Sequence, residues 1–195
     1  LGLTALRGDE WLAHPGSVGR GFRDTEIRIL DTQGRPLGPG EHGEVYLRSP
    51  MSAGYRYLGG APLLPSTPDG FRSAGDIGYL DADGYLYIAD RRSDMIITGG
   101  ANVFPAEVEC ALAEHADIAD VVVIGLADPQ WGRRVHAVVQ LADPGRPLTD
   151  QQVVDYAKSR LAAYKVPKTV EFVDEIPRTA ATKINRSAMI KARGG

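Results

Sequence analysis

A lysine near the C-terminal end of the chain is placed to act on a developing negative charge. Lys183 follows residues 177–182, a run that begins with proline and continues with arginine and small or hydroxyl side chains. We expect it to lie on an exposed turn at the head of a helix. A compact ammonium group on a flexible stem can approach an anionic reaction centre and withdraw again. The alternative is a solvated surface lysine.

A glycine followed by a carboxylate marks a second candidate site. Asp76 comes directly after Gly75 within the glycine-rich segment 70–78. Glycine lets the backbone approach a ligand closely, and a carboxylate accepts hydrogen bonds from two adjacent hydroxyl groups. This pairing favours a ligand with two adjacent hydroxyl groups. An Asx turn between two strands would use the same residues.

An aromatic residue with neighbouring cations suggests a nucleotide contact. Trp131 stands on a predicted turn beside Arg133 and Arg134. An exposed indole with adjacent guanidinium groups is suited to adenine stacking and phosphate pairing. Tyr164 and Lys165 could add a second aromatic wall and further charge. Alternatively, Trp131 packs at the edge of the core and the basic residues are solvated.

A glycine pair marks a narrow connection. Gly99 and Gly100 follow a short apolar run and precede Pro105, a residue typical of a helix start. Backbone without side chains can line a narrow ligand channel. A tight strand-to-helix connection would explain the glycines equally well.

The elements that must position these residues differ between the two halves of the chain. Segments 26–30 and 44–48 alternate with a period of two, and residues 79–88 indicate a hairpin around Asp83 and Gly84. We therefore predict a β-rich, barrel-like subdomain over residues 1–90, followed by a hinge at 91–94.

The second half mixes helices and strands, so we predict an α+β chain whose residues 95–195 form a small domain with an antiparallel sheet flanked by helices. Thr149 and Gln152 form a capping-box pattern at one helix start. The predicted helices cover residues 105–115, 149–163 and 183–191, and the predicted strands cover 118–126, 134–141 and 169–173.

Composition excludes several function classes. Twenty-two basic against 25 acidic residues leave a net charge of -3, which offers no basic field for nucleic acid or an anionic membrane. No apolar run approaches the roughly 20 residues of a membrane span. Cys110 is the only cysteine, so no internal disulfide can form, and a reducing cytoplasm is expected. The four histidines and this cysteine show no metal-ligand spacing, so no metal site is predicted.

Two segments resemble signature motifs of the adenylate-forming superfamily, which includes acyl-CoA synthetases, the adenylation domains of peptide synthetases, and luciferases. They are residues 90–100, a charged turn that leads into the glycine pair, and residues 177–184 around Lys183. The resemblance covers roughly Pro15 to Ile190. It implies ATP or AMP and CoA as ligands and a small-molecule carboxylic acid as substrate, without specifying the acyl group.

The resemblance also implies residue roles. Lys183 would bridge the acyl carboxylate and the α-phosphate during adenylate formation, and Asp76 and Arg91 would hold the ribose. Ser93 would be the pivot, where family members usually carry Asp or Lys. Gly99 and Gly100 would line the channel for the pantetheine arm of CoA. The CoA nucleotide would be contacted by Trp131, Arg133, Arg134, Tyr164 and Lys165.

The family's phosphate loop and its Mg²⁺ ligand have no counterpart in this sequence, and the residue before Lys183 is Thr182 instead of the usual glycine. We therefore expect the chain to be the C-terminal part of an acyl-CoA synthetase, inactive without the missing N-terminal part of the same enzyme. One alternative is an adenylation domain that loads a carrier protein. Another is a non-catalytic β-rich binding module.

Overall fold

The computed structural model describes residues 3–51, 63–179 and 183–194. The chain divides into two compact units, Leu1–Ser93 and Asp94–Gly195. The predicted α+β class is confirmed, with mostly antiparallel strands and few helices. Among the helices described, none has the length and apolar character needed to cross a membrane.

The first unit is built around a four-stranded antiparallel sheet. Its sequence alternation buries one side of the sheet, where Ile29, Val45 and Leu86 pack together. The elements are strand β1 (Leu3–Ala5), helix α1 (Gly8–Ala13), and strands β2 (Arg20–Phe22), β3 (Glu26–Leu30), β4 (Gly43–Arg48), β5 (Arg72–Leu80) and β6 (Leu86–Arg91).

The prediction of a barrel-like subdomain was wrong for the residues described. The sheet has the open order β3-β4-β5-β6, and β1 pairs only with β2 in a separate two-stranded sheet. The sheet stays open because successive strands are joined by local connections and no pairing joins its outer strands within the described ranges. Alternation in the sequence predicts strands, but it does not predict whether the two outer strands meet.

The predicted hairpin between β5 and β6 is present, and one carboxylate closes its turn. Oδ1 of Asp81 accepts hydrogen bonds from the backbone N–H of Asp83, at 3.0 Å, and of Tyr85, at 2.8 Å. Such a side-chain link replaces backbone hydrogen bonds that the turn cannot make. The turn therefore fixes the register in which β5 and β6 pair.

The second unit has a three-stranded sheet with a helix-bearing core on each face. Its central strand buries Val135, Ala137 and Val139 on one side and Val138 on the other. The elements are strands β7 (Ile96–Thr98) and β8 (Ala101–Val103), helix α2 (Pro105–Ala113), strands β9 (Ile118–Asp128) and β10 (Gly132–Leu141), helix α3 (Asp150–Lys158), strand β11 (Thr169–Val173) and helix α4 (Arg186–Ala192).

The antiparallel sheet predicted for this unit is present in β9 and β10, but its third strand departs from that pattern. β9 and β10 are antiparallel, but β11 lies parallel to β10, with His136 opposite Thr169. The connection from β10 to β11 passes through α3, and a crossover of this kind returns the chain in the same direction. The sheet is therefore mixed.

All three predicted helices differ from their predicted bounds: α2 ends at Ala113 instead of residue 115, and the other two differ because of local hydrogen bonds. α3 begins after the Thr149 capping box as predicted but ends at Lys158, where the hydroxyl of Ser159 donates to the carbonyl of Tyr156 at 2.7 Å. α4 begins at Arg186 because the side chain of Asn185 caps it, accepting the N–H of Ala188 at 3.0 Å.

Candidate functional site

Asp76 and Arg91 lie directly opposite each other on adjacent strands. β5 and β6 pair so that these two residues are partners in the antiparallel register. Both border a pocket of about 570 Å³ in the first unit. This pocket is lined by Leu64, Ala74, Gly75, Asp76, Arg91, Arg92 and Ser93.

The backbone beside Asp76 is held by a buried serine. Gly75 has a φ of +78°, a conformation that glycine adopts without strain, and its N–H donates to Oγ of Ser73 at 3.0 Å. The Ser73 hydroxyl donates in turn to Glu44, which also accepts from Arg92 at 3.2 Å. This network fixes the backbone that presents the Asp76 carboxylate to the pocket.

The electrostatic setting of Asp76 combines burial and one opposed charge. Partial burial raises the pKa of Asp76 above its usual value, although the positive charge of Arg91 acts in the opposite direction. A partly desolvated carboxylate gains more from hydroxyl donors than one surrounded by water. The pair can therefore hold a polar ligand that offers two adjacent hydroxyl groups.

Lys183 lies on a turn that is fixed at its base. The N–H of Thr179 donates to the carbonyl of Lys183 at 2.9 Å, and the N–H of Lys183 donates to the Thr179 hydroxyl at 3.2 Å. Arg178 forms a β-bridge with Ile184, and its guanidinium pairs with Asp120 on β9. The side chain of Lys183 itself is exposed.

Thr182, the departure from the family pattern, lies outside the described residues. The exposed ammonium group of Lys183 therefore stands two residues before the Asn185 cap of α4, on a turn anchored to the central sheet of the second unit. An exposed cation on an anchored turn can meet an anionic ligand without rearrangement of the core.

Gly99 and Trp131, predicted separately, are in contact. The backbone N–H of Gly99 donates to the carbonyl of Trp131 at 2.9 Å, and a Cβ atom on Gly99 would lie 2.6 Å from the indole. Gly99 therefore leaves the space that the indole occupies. The indole remains 44% exposed, which is enough for a flat ligand to reach it.

Arg133 and Arg134, in contrast, do not lie together. They are consecutive residues of β10, and successive side chains of a strand point to opposite faces. Arg134 donates to the backbone carbonyl of Ala127, whereas the side chain of Arg133 passes over Gly125 on the face that carries Ile96. Only Arg133 is on the face of β7.

Lys165 is engaged by an acid on α2. Its ammonium group contacts Glu107, in the first turn of α2, with one N–O distance of 2.7 Å. Burial opposes the charged form, but the hydrogen bond and negative charge of Glu107 prevail and raise the pKa of Lys165. Tyr164 is 46% exposed and lies beside it, with the ammonium 5.6 Å from its ring centroid. The ion pair ties the segment of Tyr164 to the helix that follows the glycine pair.

A cluster that sequence spacing could not show joins His14, Asp81 and Asp83. One ligand atom from each lies within 4.8 Å of the other two. Nδ1 of His14 is 3.2 Å from Oδ2 of Asp81, whose other oxygen already closes the hairpin turn. The hydrogen bonds of the cluster thus join the end of α1 to the turn between β5 and β6.

Comparison with known proteins shows that the chain is similar to one enzyme family. Residues 107–183 match the family described as AMP-binding enzyme C-terminal domain. The chain is 42% identical over 171 residues to a 2-succinylbenzoate–CoA ligase of Bacillus licheniformis, covering 88% of this chain and 35% of that protein. It is 40% identical to an indoleacetate–CoA ligase of Aromatoleum aromaticum, covering 88% of this chain and 33% of that protein.

Solved structures of related enzymes are similar to this chain over nearly its whole length. The o-succinylbenzoate CoA synthetase of Bacillus subtilis, in complex with its acyl-adenylate intermediate, is similar with a TM-score of 0.79 and 36% identity, over 96% of this chain and 38% of that one. An amide bond synthetase of Marinactinospora thermotolerans is similar with a TM-score of 0.81 and 33% identity, over 97% and 39%. The chain spans about a third of the length of the curated relatives it matches.

Proposed function

Because the chain belongs to the adenylate-forming superfamily and matches its C-terminal portion, we propose that it forms the C-terminal part of an ATP-dependent, AMP-forming acid–CoA ligase. Such an enzyme joins a carboxylic acid to AMP with release of pyrophosphate and then transfers the acyl group to the thiol of CoA. The rest of the enzyme would supply the acyl pocket, the phosphate loop and the Mg²⁺ ligand. A cytoplasmic location remains a prediction.

The single observation that carries the proposal is the pairing of Asp76 with Arg91 across the β5–β6 ladder. Both residues border one pocket, and the backbone before Asp76 is locked by Ser73. We assign Asp76 to the two ribose hydroxyls of ATP and of the adenylate, with Arg91 as the second ribose contact. A carboxylate on a fixed backbone binds a diol without a further loss of backbone freedom.

Lys183 is the group we assign to the first half-reaction. As negative charge builds on the α-phosphate and the attacking carboxylate, an ammonium group placed between them stabilises the transition state. The exposed position of Lys183 on an anchored turn is suited to this role. We propose that Ser93, the last residue of the first unit, is the pivot that brings Lys183 to the nucleotide and withdraws it before the thiol reacts.

The second half-reaction is assigned to the surface around the glycine pair. Gly99 and Gly100 would admit the pantetheine arm, and Trp131 with Tyr164 would contact the adenine of CoA. Arg133 is then the basic residue that could pair with the CoA phosphates from the β7 face. Arg134 and Lys165 support the site structurally, since each already holds a partner within the second unit.

The carboxylic acid substrate is proposed from the relatives alone. The similar proteins named above act on 2-succinylbenzoate and on indoleacetate, both aromatic acids. We propose that an aryl acid is the first substrate class to test.

The test of the proposal uses the complete enzyme that contains this chain. ATP–pyrophosphate exchange should depend on the carboxylic acid, and AMP and an acyl-CoA should form when CoA is added. Asp76→Ala should raise the KM for ATP by roughly 10- to 100-fold, because it removes hydrogen bonds to a charged group and their contribution to the binding free energy. Asp83→Ala, which removes an exposed acid from the same hairpin, is the matched control and should leave that KM unchanged.

Two results would overturn the proposal. One is the absence of acid-dependent exchange in the wild-type enzyme. The other is an equal effect of Asp76→Ala and Asp83→Ala on the KM for ATP. Formation of a carrier-protein thioester or an amide, with no acyl-CoA, would keep adenylation and reassign the acceptor.

A further inference from the structure

One guanidinium group joins three separate segments of the second unit. Arg186, the first residue of α4, donates through one nitrogen to both carboxylate oxygens of Glu109, at 2.7 and 2.8 Å. Its other terminal nitrogen lies 3.1 Å from Oδ2 of Asp94. Arg186 therefore ties α4 to α2 and to the first residue of the unit.

These contacts are sheltered from solvent. The side chains of Arg186, Glu109 and Asp94 are 18%, 17% and 22% exposed. One oxygen of Glu109 also accepts the backbone N–H of Val123 on β9 at 2.8 Å, which anchors the acid to the central sheet. A guanidinium paired through two nitrogens is held in orientation as well as in position.

The arginine is linked to Lys183 through a short, ordered stretch of chain. Arg186 lies three residues after Lys183, and Asn185 between them caps α4. Ile184 is bridged to Arg178, which pairs with Asp120 on β9. A displacement of the first turn of α4 would therefore be transmitted to the turn that carries Lys183.

The contact with Asp94 connects Arg186 to the start of the second unit. Asp94 follows Ser93 at the boundary of the two units. The same guanidinium thus contacts the residue next to the proposed pivot and starts the helix that follows Lys183. Because of this arrangement, one side chain links the first residue of the unit to the helix that follows Lys183.

We infer that Arg186 is a positioning residue for adenylation: it holds Lys183 at a fixed place relative to the start of the second unit. This inference rests on the proposed function, because it assigns Arg186 an effect on one half-reaction. It predicts that Arg186 affects the step that uses Lys183 and not the step from which Lys183 is withdrawn. A displacement of about 1 Å at a catalytic group can reduce a rate by on the order of 100-fold.

The experiment compares Arg186, the first residue of α4, with Arg193, the residue at the C-cap of the same helix, in the complete enzyme. Arg186→Met should lower kcat for ATP–pyrophosphate exchange by about 10- to 100-fold and leave thioester formation from a supplied acyl adenylate nearly unchanged. Arg193→Met is the matched control, because Arg193 also pairs with a carboxylate, Glu171, at 2.6 and 2.9 Å and is 20% exposed. It should affect the two half-reactions alike.

A double variant that combines Arg186→Met with Lys183→Ala distinguishes an effect on the position of Lys183 from a general loss of stability. If Arg186 acts through Lys183, the double variant should exchange pyrophosphate no more slowly than Lys183→Ala alone. Arg186→Lys, which keeps the charge but not the forked geometry, should restore part of the exchange rate. If Arg186→Met does not fold, Arg186→Lys and Glu109→Gln replace it in the same comparison.

The inference is overturned if Arg186→Met slows both half-reactions equally, if it slows neither, or if its effect multiplies with that of Lys183→Ala. These results are distinct from failure of the proposed function, which would appear as absence of acid-dependent exchange in the wild-type enzyme.

Discussion

The ammonium group of Lys183 is exposed, while its backbone is hydrogen-bonded to the backbone and the hydroxyl group of Thr179, next to the Arg178–Asp120 pair. This combination suits a catalytic cation, because only the side chain must order when an anionic ligand arrives. A structural lysine would instead be paired with an acid, as Lys165 is with Glu107.

Replacing Lys183 with alanine in the complete enzyme should slow adenylation by on the order of 10²- to 10³-fold, the usual cost of losing one preorganised donor to developing charge. Thioester formation from a supplied adenylate should change little. ATP–pyrophosphate exchange and single-turnover thioester assays measure the two steps. Lys191→Ala, at an exposed position of α4, is the control, and equal losses in both steps for Lys183→Ala would make that residue structural.

Trp131 should matter only for the nucleotide end of CoA. If adenine stacks on the exposed part of its indole, Trp131→Ala should raise the KM for CoA by roughly 5- to 150-fold, from about 1–3 kcal/mol of stacking per base. The KM for pantetheine, which lacks adenine, should not change. Steady-state kinetics with both thiols measure the difference.

The contact with Gly99 provides an independent check on this assignment. Gly99→Ala would force its Cβ against the indole, whereas Gly100→Ala meets no atom within 4 Å, although both residues have positive φ. The first should therefore disturb CoA binding more than the second. Equal losses for CoA and pantetheine in Trp131→Ala would show that the indole packs the core edge and does not bind adenine.

At the scale of elements, α4 is held to the sheet at its C-terminal end by a partly buried polar network. Nδ1 of His136 lies 2.7 Å from the Thr169 hydroxyl, and Nε2 lies 3.2 Å from Glu171. Glu171 also accepts two hydrogen bonds from Arg193. The network therefore connects β10, β11 and α4.

This network makes the stability of the second unit depend on pH. Burial lowers the pKa of His136 despite the nearby Glu171, so below pH 6.5 the unfolded chain binds more protons than the folded one. The hydrogen bond from Arg193 lowers the pKa of Glu171, which has the same effect below pH 4.5. The free energy of unfolding should therefore fall as the pH falls through both windows.

Urea unfolding of the 195-residue chain between pH 7.5 and 4 measures this effect. The chain has two tryptophans, Trp11 and Trp131, so a Trp11→Phe background lets fluorescence follow the second unit alone. His136→Asn should flatten the dependence in the upper window. An unfolding free energy that stays constant from pH 7.5 to 5 would contradict the prediction.

The sequence predicted the elements better than it predicted their pairing. Pro105 and the Thr149 capping box marked two helix starts correctly, because capping depends on a few neighbouring residues. The direction of β11 and the open edges of the first sheet depend on contacts between distant segments. The same limit applies to the site, since Arg186 and Glu109 are 77 residues apart and neither belongs to a recognisable short motif.

At the scale of the whole molecule, we find no segment of the sequence that resembles the phosphate-binding loop of the adenylate-forming superfamily. We expect the 195-residue chain to fold but to show no acid-dependent ATP–pyrophosphate exchange above a heat-inactivated control. Mixing it with the remaining part of the enzyme, expressed separately, is the positive control. Exchange by the chain alone would mean that residues within it supply the missing phosphate contacts.

The mixed sheet of the second unit also has a consequence for the order in which this unit assembles. A turn of three residues connects β9 to β10, whereas the whole segment 142–168 connects β10 to β11. Closing a longer segment costs more chain entropy, so the local hairpin should form before the parallel strand docks. Val138→Ala in β10 should therefore slow folding, while Val170→Ala in β11 should mainly speed unfolding. Stopped-flow chevron plots measure both rates, and the reverse pattern would contradict this order. If the hairpin forms first, a chain that is still being made on the ribosome can pair β9 with β10 before β11 has been synthesised. The attachment of α4 would form only after that.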